Sequence, residues 1–216
     1  MRVVTVSVGQ PQIVKTSDEG FVTTAIFKHA VDGPVKVNSL NLEGDAQADL
    51  TVHGGWSKAV YVYPGEHYEY WRTELPEMEL GNSQFGENLT TEGLIETEIC
   101  IGDRLRIGTA EFVVTEPRMP CYKLGVRFGR RDILRRFLQS QRSGFYLAVT
   151  TTGELTSGDD IEILSRDENK VTVRDIVRVW VQDKDDVETM GRALKIEAFP
   201  EGWKEAFRDR IANAAA

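Results

Sequence analysis

Cysteine and histidine are scarce in this chain: two cysteines, Cys100 and Cys121, and three histidines among 216 residues. Two thiols make no disulfide framework, and an iron–sulfur cluster takes about four. Such sparse cysteine suits a reducing, cytoplasmic setting. Long apolar runs are missing too. A membrane-spanning helix needs about 18 consecutive apolar residues, and no window approaches that. The start alternates Val4, Val6 and Val8 with polar residues, a strand pattern rather than the unbroken apolar stretch of a secretory leader. Basic charge is in deficit, with 26 Lys and Arg against 34 Asp and Glu for a net of −8. That balance argues against a general nucleic-acid or anionic-membrane binder. Neither a Walker loop nor a Gly-x-Gly-x-x-Gly fingerprint occurs, so no nucleic acid, no membrane and no bound dinucleotide are expected.

What is present reads as short strands separated by Gly, Pro and Asp. Residues 22–28, 35–42, 59–63, 95–101, 104–107, 111–115, 145–151 and 161–164 are β-branched or aromatic runs of strand length. Gly102-Asp103 and Gly158-Asp159 mark turns between them. Closely spaced strands of this kind point to a mainly β, barrel-like domain over residues 1–168. Two short helices interrupt it, at 66–75 with Pro64 in the first-turn position, and at 131–139 with Ile133, Leu134, Phe137 and Leu138 on one face. After the polar segment 166–170 the texture changes. Thr172 and Asp175 form a capping-box pattern, Asp185-Asp186 opens a second helix, and Trp203, Phe207 and Ile211 recur every four residues in a third. Residues 169–216 are therefore expected to form a small three-helix domain. With 8 basic and 9 acidic side chains over 172–216, it is not a DNA-binding trio.

Charge is unevenly spread. Residues 118–142 hold eight basic side chains against Asp132 alone, which suggests either a local anion site or a solvated helix face. Within it lies Pro117-Arg118-Met119-Pro120-Cys121-Tyr122-Lys123, where two prolines fix the approach to a thiol flanked by two cations. Such neighbours favour the thiolate, a nucleophile and a soft metal ligand. A buried structural cysteine is the alternative at Cys121, and the reading that prevails at Cys100 between two isoleucines. A second cluster runs from Gly44 to Tyr61. There Gly54-Gly55 allows close backbone approach between His53 and Lys58. A third, Phe85-Gly86-Glu87-Asn88-Leu89-Thr90, is a turn-rich stretch with backbone donors. His29 and His67 read as structural, and a zinc site from His53, His67 and Cys121 lacks any short ligand-pair spacing.

In order along the chain, Ser7-Val-Gly-Gln-Pro11, Gly44 to Tyr63, Phe85 to Thr90 and Pro117 to Leu124 resemble the MOSC domain family, and its YiiM-type branch in particular. The three-helix tail resembles the domain attached to that branch. The resemblance implies a barrel-like fold that binds molybdenum cofactor (Mo-molybdopterin), with Cys121 as catalytic residue and metal ligand. His53, Lys58, Gly86, Glu87, Asn88, Leu89, Arg118 and Lys123 are then the expected cofactor-binding residues. It further implies reduction of N-hydroxylated bases or related N-oxygenated compounds to the amine, a detoxifying reaction. Electrons would come from an external flavin or iron–sulfur donor protein, docking on the acidic surface or the helical tail. A homodimer is compatible with this reading. A different reading also fits, a non-redox cofactor or sulfur carrier using Cys121 as a persulfide or ligand, as does a cysteine hydrolase pairing Cys121 with a histidine. Two residues depart from the family pattern: Ser57, where Asp is expected before Lys58, and Glu116, where Gln is expected before Pro117-Arg118.

Overall fold

A computed structural model describes residues 1–16, 19–48 and 54–214. The strands are β1 (Arg2–Val8), β2 (Gln12–Lys15), β3 (Phe21–Thr24), β4 (His29–Ala30), β5 (Val35–Val37), β6 (Val60–Pro64), β7 (Leu89–Glu92), β8 (Arg104–Ile107), β9 (Ala110–Pro117), β10 (Phe145–Thr151), β11 (Gly153–Leu155) and β12 (Ile161–Ser165). Eight of them form one sheet in the order β12-β8-β9-β10-β6-β7-β1-β4. Its edge curls back on itself. Val3 N–H donates to Asp159 O at 2.9 Å and Ile161 N–H to Met1 O at 2.9 Å, joining β1 to the entry of β12 without a full ladder. The result is barrel-like but not closed, the mainly β fold with helices that the strand pattern implies.

Alternation explains the interior. Val3, Val6, Val8, Leu105, Ile107, Phe112, Val114, Phe145 and Leu147 are buried on one side of their strands. The helices α4 (Val173–Val181), α5 (Val187–Ala193) and α6 (Glu201–Ala214) add Ile176, Val179, Met190 and Phe207 to the same apolar cluster, and the connection between α5 and α6 adds Phe199. The trio therefore packs on the sheet and shares its core. The capping box is present: Thr172 Oγ1 accepts from Asp175 N–H at 3.0 Å, and Asp175 Oδ2 accepts from Thr172 N–H at 3.0 Å. No helix is long and apolar enough to cross a membrane among the described residues.

A second cluster of Tyr61, Tyr63, Tyr68, Trp71, Phe85, Phe128 and Phe137 lies under α1 (His67–Glu74), α2 (Tyr122–Phe128) and α3 (Ile133–Ser140). Here several local expectations are corrected. Pro64 closes β6, paired with Thr91, and does not open α1. The strands expected from Val22 and Val35 stop at Thr24 and Val37. Residues 95–101 turn instead of extending, because Glu98 and Ile99 N–H both return to Ile95 O. Cys100 accordingly sits in an isolated bridge to Thr172 rather than within a strand.

Candidate functional site

Five segments converge on an open cleft with a cavity volume of about 110 Å³: the end of β3 with the loop to Lys28, residues 45–48, the strand pair β6 and β10 with Lys58 just ahead of β6, residues 85–88, and the turn entering α2. Six expected site residues line it together: Lys58, Gly86, Asn88, Arg118, Cys121 and Lys123. Glu87 and Leu89 lie behind this wall, both fully buried. His53 lies outside the described residues. His67 lines a different groove with Glu66, Tyr70 and Arg142, and its Nε2 meets Glu96 Oε2 at 2.6 Å. Among the described residues no group of three His, Cys, Asp or Glu side chains could hold a metal ion by itself.

The cysteine precedes α2 in extended conformation (φ −118°, ψ 171°). Pro120 fixes the backbone just before it, and Leu124 N–H donates to Cys121 O at 2.9 Å. Cys121 is half-buried and interacts electrostatically with Arg118 and Tyr146. Cys100 is also half-buried, but burial first and the Asp103 carboxylate second push its thiol up to about 11, which keeps it protonated at neutral pH.

Arg118 is the most telling side chain of the cleft. It is 5 % exposed, with its guanidinium 5.4 Å from the Tyr61 ring centre and 5.0 Å from that of Phe137. The Tyr146 hydroxyl is near enough to interact with it electrostatically, yet Nη1 is buried with no hydrogen-bond partner. Burial opposes its charge, but Tyr61, Tyr146 and Cys121 together outweigh that and raise its pKa. An unpaired buried donor costs about 1–3 kcal/mol; in a residue that lines the cleft, an acceptor brought by a ligand is its natural partner.

The Gly86–Leu89 loop does its work from behind. Glu87 accepts from Tyr68 Oη at 2.5 Å, Ser83 N–H at 2.8 Å, Phe85 N–H at 3.1 Å and Thr90 Oγ1 at 3.1 Å. Burial pushes its carboxyl pKa up, against those donors, which pull it down. Asn88 is equally committed: Oδ1 accepts Tyr61 N–H at 3.0 Å, while Nδ2 donates to Ser7 O at 3.2 Å and Asp45 Oδ2 at 2.9 Å. These two side chains hold the wall in place, and Gly86, at φ 81°, presents backbone to the cleft where a side chain would be strained.

Sequence reasoning missed Lys28, Asp45, Tyr61 and Tyr146 as cleft residues. Lys28 Nζ forms an ion pair with Asp45 Oδ1 in the wall, and burial pulls its pKa below the usual lysine value despite the pull of Asp45 the other way. Burial also pushes Tyr146 up to about 12, against Arg118. No local motif marks Lys28 or Tyr146, and within the Gly44–Tyr61 cluster nothing local sets Asp45 apart, since its partner Lys28 stands 17 positions away, or Tyr61, which reads as core strand. The cationic stretch 118–142 does not gather here as a whole. Arg130 pairs with Glu77 and Asp132, Arg136 with Glu74 and Asp132, and Arg142 lies over the Tyr70 ring at 4.0 Å.

Residues 49–162 match the model of the MOSC domain, and residues 171–214 that of the YiiM-like, 3-alpha helix domain. The chain belongs to the MOSC family, a domain family associated with molybdenum cofactor. It is 38 % identical over 97 % of its length to the uncharacterized protein YflK of Bacillus subtilis, covering 95 % of that protein. It is 37 % identical to protein YiiM of Escherichia coli over 87 % of this chain and 84 % of that one. A protein named reductase from Gibberella moniliformis is 37 % identical over 78 % of this chain, which spans 30 % of that longer protein. The crystal structure of YiiM from Geobacillus stearothermophilus superposes with a TM-score of 0.81 at 29 % identity, over 97 % of this chain and 98 % of that one.

The residues fit the group that this family implies. Molybdenum cofactor is an anionic pterin dithiolene with a phosphate. A cleft with an orphaned guanidinium N–H, the ammonium groups of Lys58 and Lys123 and the Cys121 thiol at its wall has the donor chemistry for it.

Proposed function

We propose that the chain holds molybdenum cofactor in this cleft and reduces N-hydroxylated bases, or related N-oxygenated compounds, to the parent amine. The observation that carries this is the orphaned Nη1 of buried Arg118 in the same cleft as Cys121. Cys121 Sγ would ligate the molybdenum. Arg118, Lys58 and Lys123 would bind the anionic part of the cofactor, with His53 and the Gly86–Leu89 loop completing its surroundings.

When bound, the cofactor supplies two-electron redox chemistry at the cleft. The overall change breaks one N–O bond: hydroxylamine, two electrons and two protons give amine and water. Lys28 Nζ, held against Asp45 Oδ1 in the wall, can give a proton to the departing oxygen and be recharged from solvent. The Tyr61 and Tyr146 rings offer flat apolar surface for a heterocyclic base. Electrons would come from a flavin or iron–sulfur reductase, because neither a dinucleotide fingerprint nor enough cysteine for a cluster lies within these 216 residues.

The test is reduction of an N-hydroxylated purine by the cofactor-loaded protein with an artificial electron donor. Turnover in the unaltered chain and its loss in Cys121→Ser is expected. Bound cofactor without turnover on any N-oxygenated substrate would favour a carrier, and full activity in Cys121→Ser would refute both readings.

A further inference from the structure

The hairpin of β2 and β3 stands apart from the main sheet. Among the described residues the two strands pair only with each other, and a lone two-stranded hairpin is marginally stable at best in water. Alternation gives it two unlike faces. Val14, Val22 and Thr24 turn inward and are half-buried or buried, whereas Ile13, Lys15, Phe21 and Thr23 form an outer face exposed throughout. Lys15 is paired with Phe21 and Ile13 with Thr23, which sets Ile13 and Phe21 diagonally across that face, within reach of each other. They are 73 % and 72 % exposed, more than any other large apolar side chain among the described residues. Lys15 and Phe21 also line a groove of about 680 Å³, together with Tyr122, Val126, Arg131 and Leu134. Tyr122, itself exposed, extends the apolar surface across it.

Exposed apolar surface of this kind marks a contact surface, and this one carries both halves of an interface. Ile13 and Phe21 are knobs, and the groove beside them is the hole. Lys15 and Arg131 bring basic charge to the groove, while Glu19, exposed at the hairpin tip, brings acid. Thr16 N–H donates to Gly20 O at 2.9 Å and Glu19 N–H to Thr16 O at 3.1 Å, which fixes that tip. A two-fold interface must be self-complementary, because the same patch is used twice. An unrelated partner makes no such demand. Glu19 and a net charge of −8 also oppose docking on an anionic membrane.

We infer that this face is a two-fold interface with a second copy of the chain: Ile13 and Phe21 of one hairpin enter the groove of the other, and Glu19 of each tip meets Lys15 of the other copy. The interface adjoins the cleft. Tyr122 directly follows Cys121, and β3 ends on Thr24 and leads to Ile26, both in the cleft wall, so a second copy braces two of its sides. The inference stands apart from the cofactor reading and needs no ligand.

Sedimentation velocity of the full-length purified chain over a concentration series tests it. The unaltered chain is expected to sediment as a dimer. Phe21→Glu replaces an apolar anchor with a charge and weakens the dimer at least about thirtyfold. Its circular dichroism spectrum stays parental, because the side chain is mostly exposed within one chain. Lys15→Glu and Glu19→Lys each set like charges against each other and weaken the dimer about fivefold or more. Mixing those two variants brings unlike charges together at both contacts, so a mixed dimer forms to within about twofold of parental strength. Damage to the fold by either charge change would not be rescued by mixing. A chain that stays monomeric throughout the series overturns the inference, as does a dimer that survives Phe21→Glu, or charge variants that mixing does not rescue. Open-ended larger species overturn the two-fold closure. A monomer that binds phosphatidylserine vesicles, and loses them in Phe21→Glu, overturns it in favour of a membrane.

Discussion

Replacing Arg118 by Met removes a charged side chain that is 5 % exposed, a change that would ordinarily be severe. The surroundings of Arg118 give a different expectation. Lost are two ring contacts, at 5.4 and 5.0 Å, worth about 1 kcal/mol each, and the electrostatic interaction with Tyr146, worth up to about 1 kcal/mol. Recovered is the cost of an unpaired buried N–H, about 1–3 kcal/mol. The net destabilisation is then about 0–2 kcal/mol, which for a chain of this size lowers the thermal midpoint by up to about 8 °C. Anion binding should suffer more. Losing one charge-assisted hydrogen bond of about 1.5–3 kcal/mol weakens inorganic phosphate at least about tenfold. Circular dichroism melting and isothermal titration on the same preparation read both quantities. A fall of more than about 15 °C, equivalent to about 4 kcal/mol or more, would make Arg118 a structural pillar. Unchanged phosphate affinity would remove it from the anion site. Either result would overturn this role for Arg118.

Asn88→Ala strands Tyr61 N–H, Ser7 O and an oxygen of Asp45; denaturant unfolding should show a loss of about 3 kcal/mol, and a loss below about 1 kcal/mol would contradict its role as a wall tie. Thr172→Ala breaks the capping box of α4 and should cost about 1 kcal/mol in the same assay. At pH 8, iodoacetamide should alkylate Cys121 before Cys100, as read by peptide mass. The Cys100 thiol, raised to about 11, carries little thiolate below that pH, so its labelling should accelerate as pH climbs toward 11; equal labelling at pH 8 would contradict this.

The strand pattern was legible wherever alternation met a turn signal, as in β8, β9, β10 and β12, because period-two burial and Gly-Asp turns are local properties. The tail was legible for the same reason, through the Thr172 cap, Asp186 and the Trp203–Phe207 spacing. α2 was hidden by Gly125, Gly129 and the prolines before Cys121, which depress local helix propensity while tertiary packing on the aromatic cluster supplies the stability. β7 passed for a loop because Gly86 and Gly93 bracket it; its parallel pairing with β6 is a contact between distant residues. Motif reading found the cleft cations nearest the motifs, Lys58, Arg118 and Lys123. Lys28 lies outside every motif, and Asp45, although inside the Gly44–Tyr61 cluster, gains its role only when the fold brings Lys28 against it. Motif reading also overextended the cationic stretch, since Asp132, Glu74 and Glu77 neutralise Arg130 and Arg136 only once the helices are packed. Ser57 and Glu116 stand far apart in the sequence as two departures from the family pattern, and in the fold they form one hydrogen-bonded pair.

The most direct test is the metal itself. Molybdenum and pterin are assayed in protein purified from cofactor-producing cells, alongside X-ray absorption at the molybdenum edge for the unaltered chain and for Cys121→Ser. Stoichiometric molybdenum with pterin, and one fewer sulfur ligand in Cys121→Ser, is the expected result. A chain that acquires no molybdenum, or a sulfur count that does not change on losing Cys121, would contradict the assignment of the cleft.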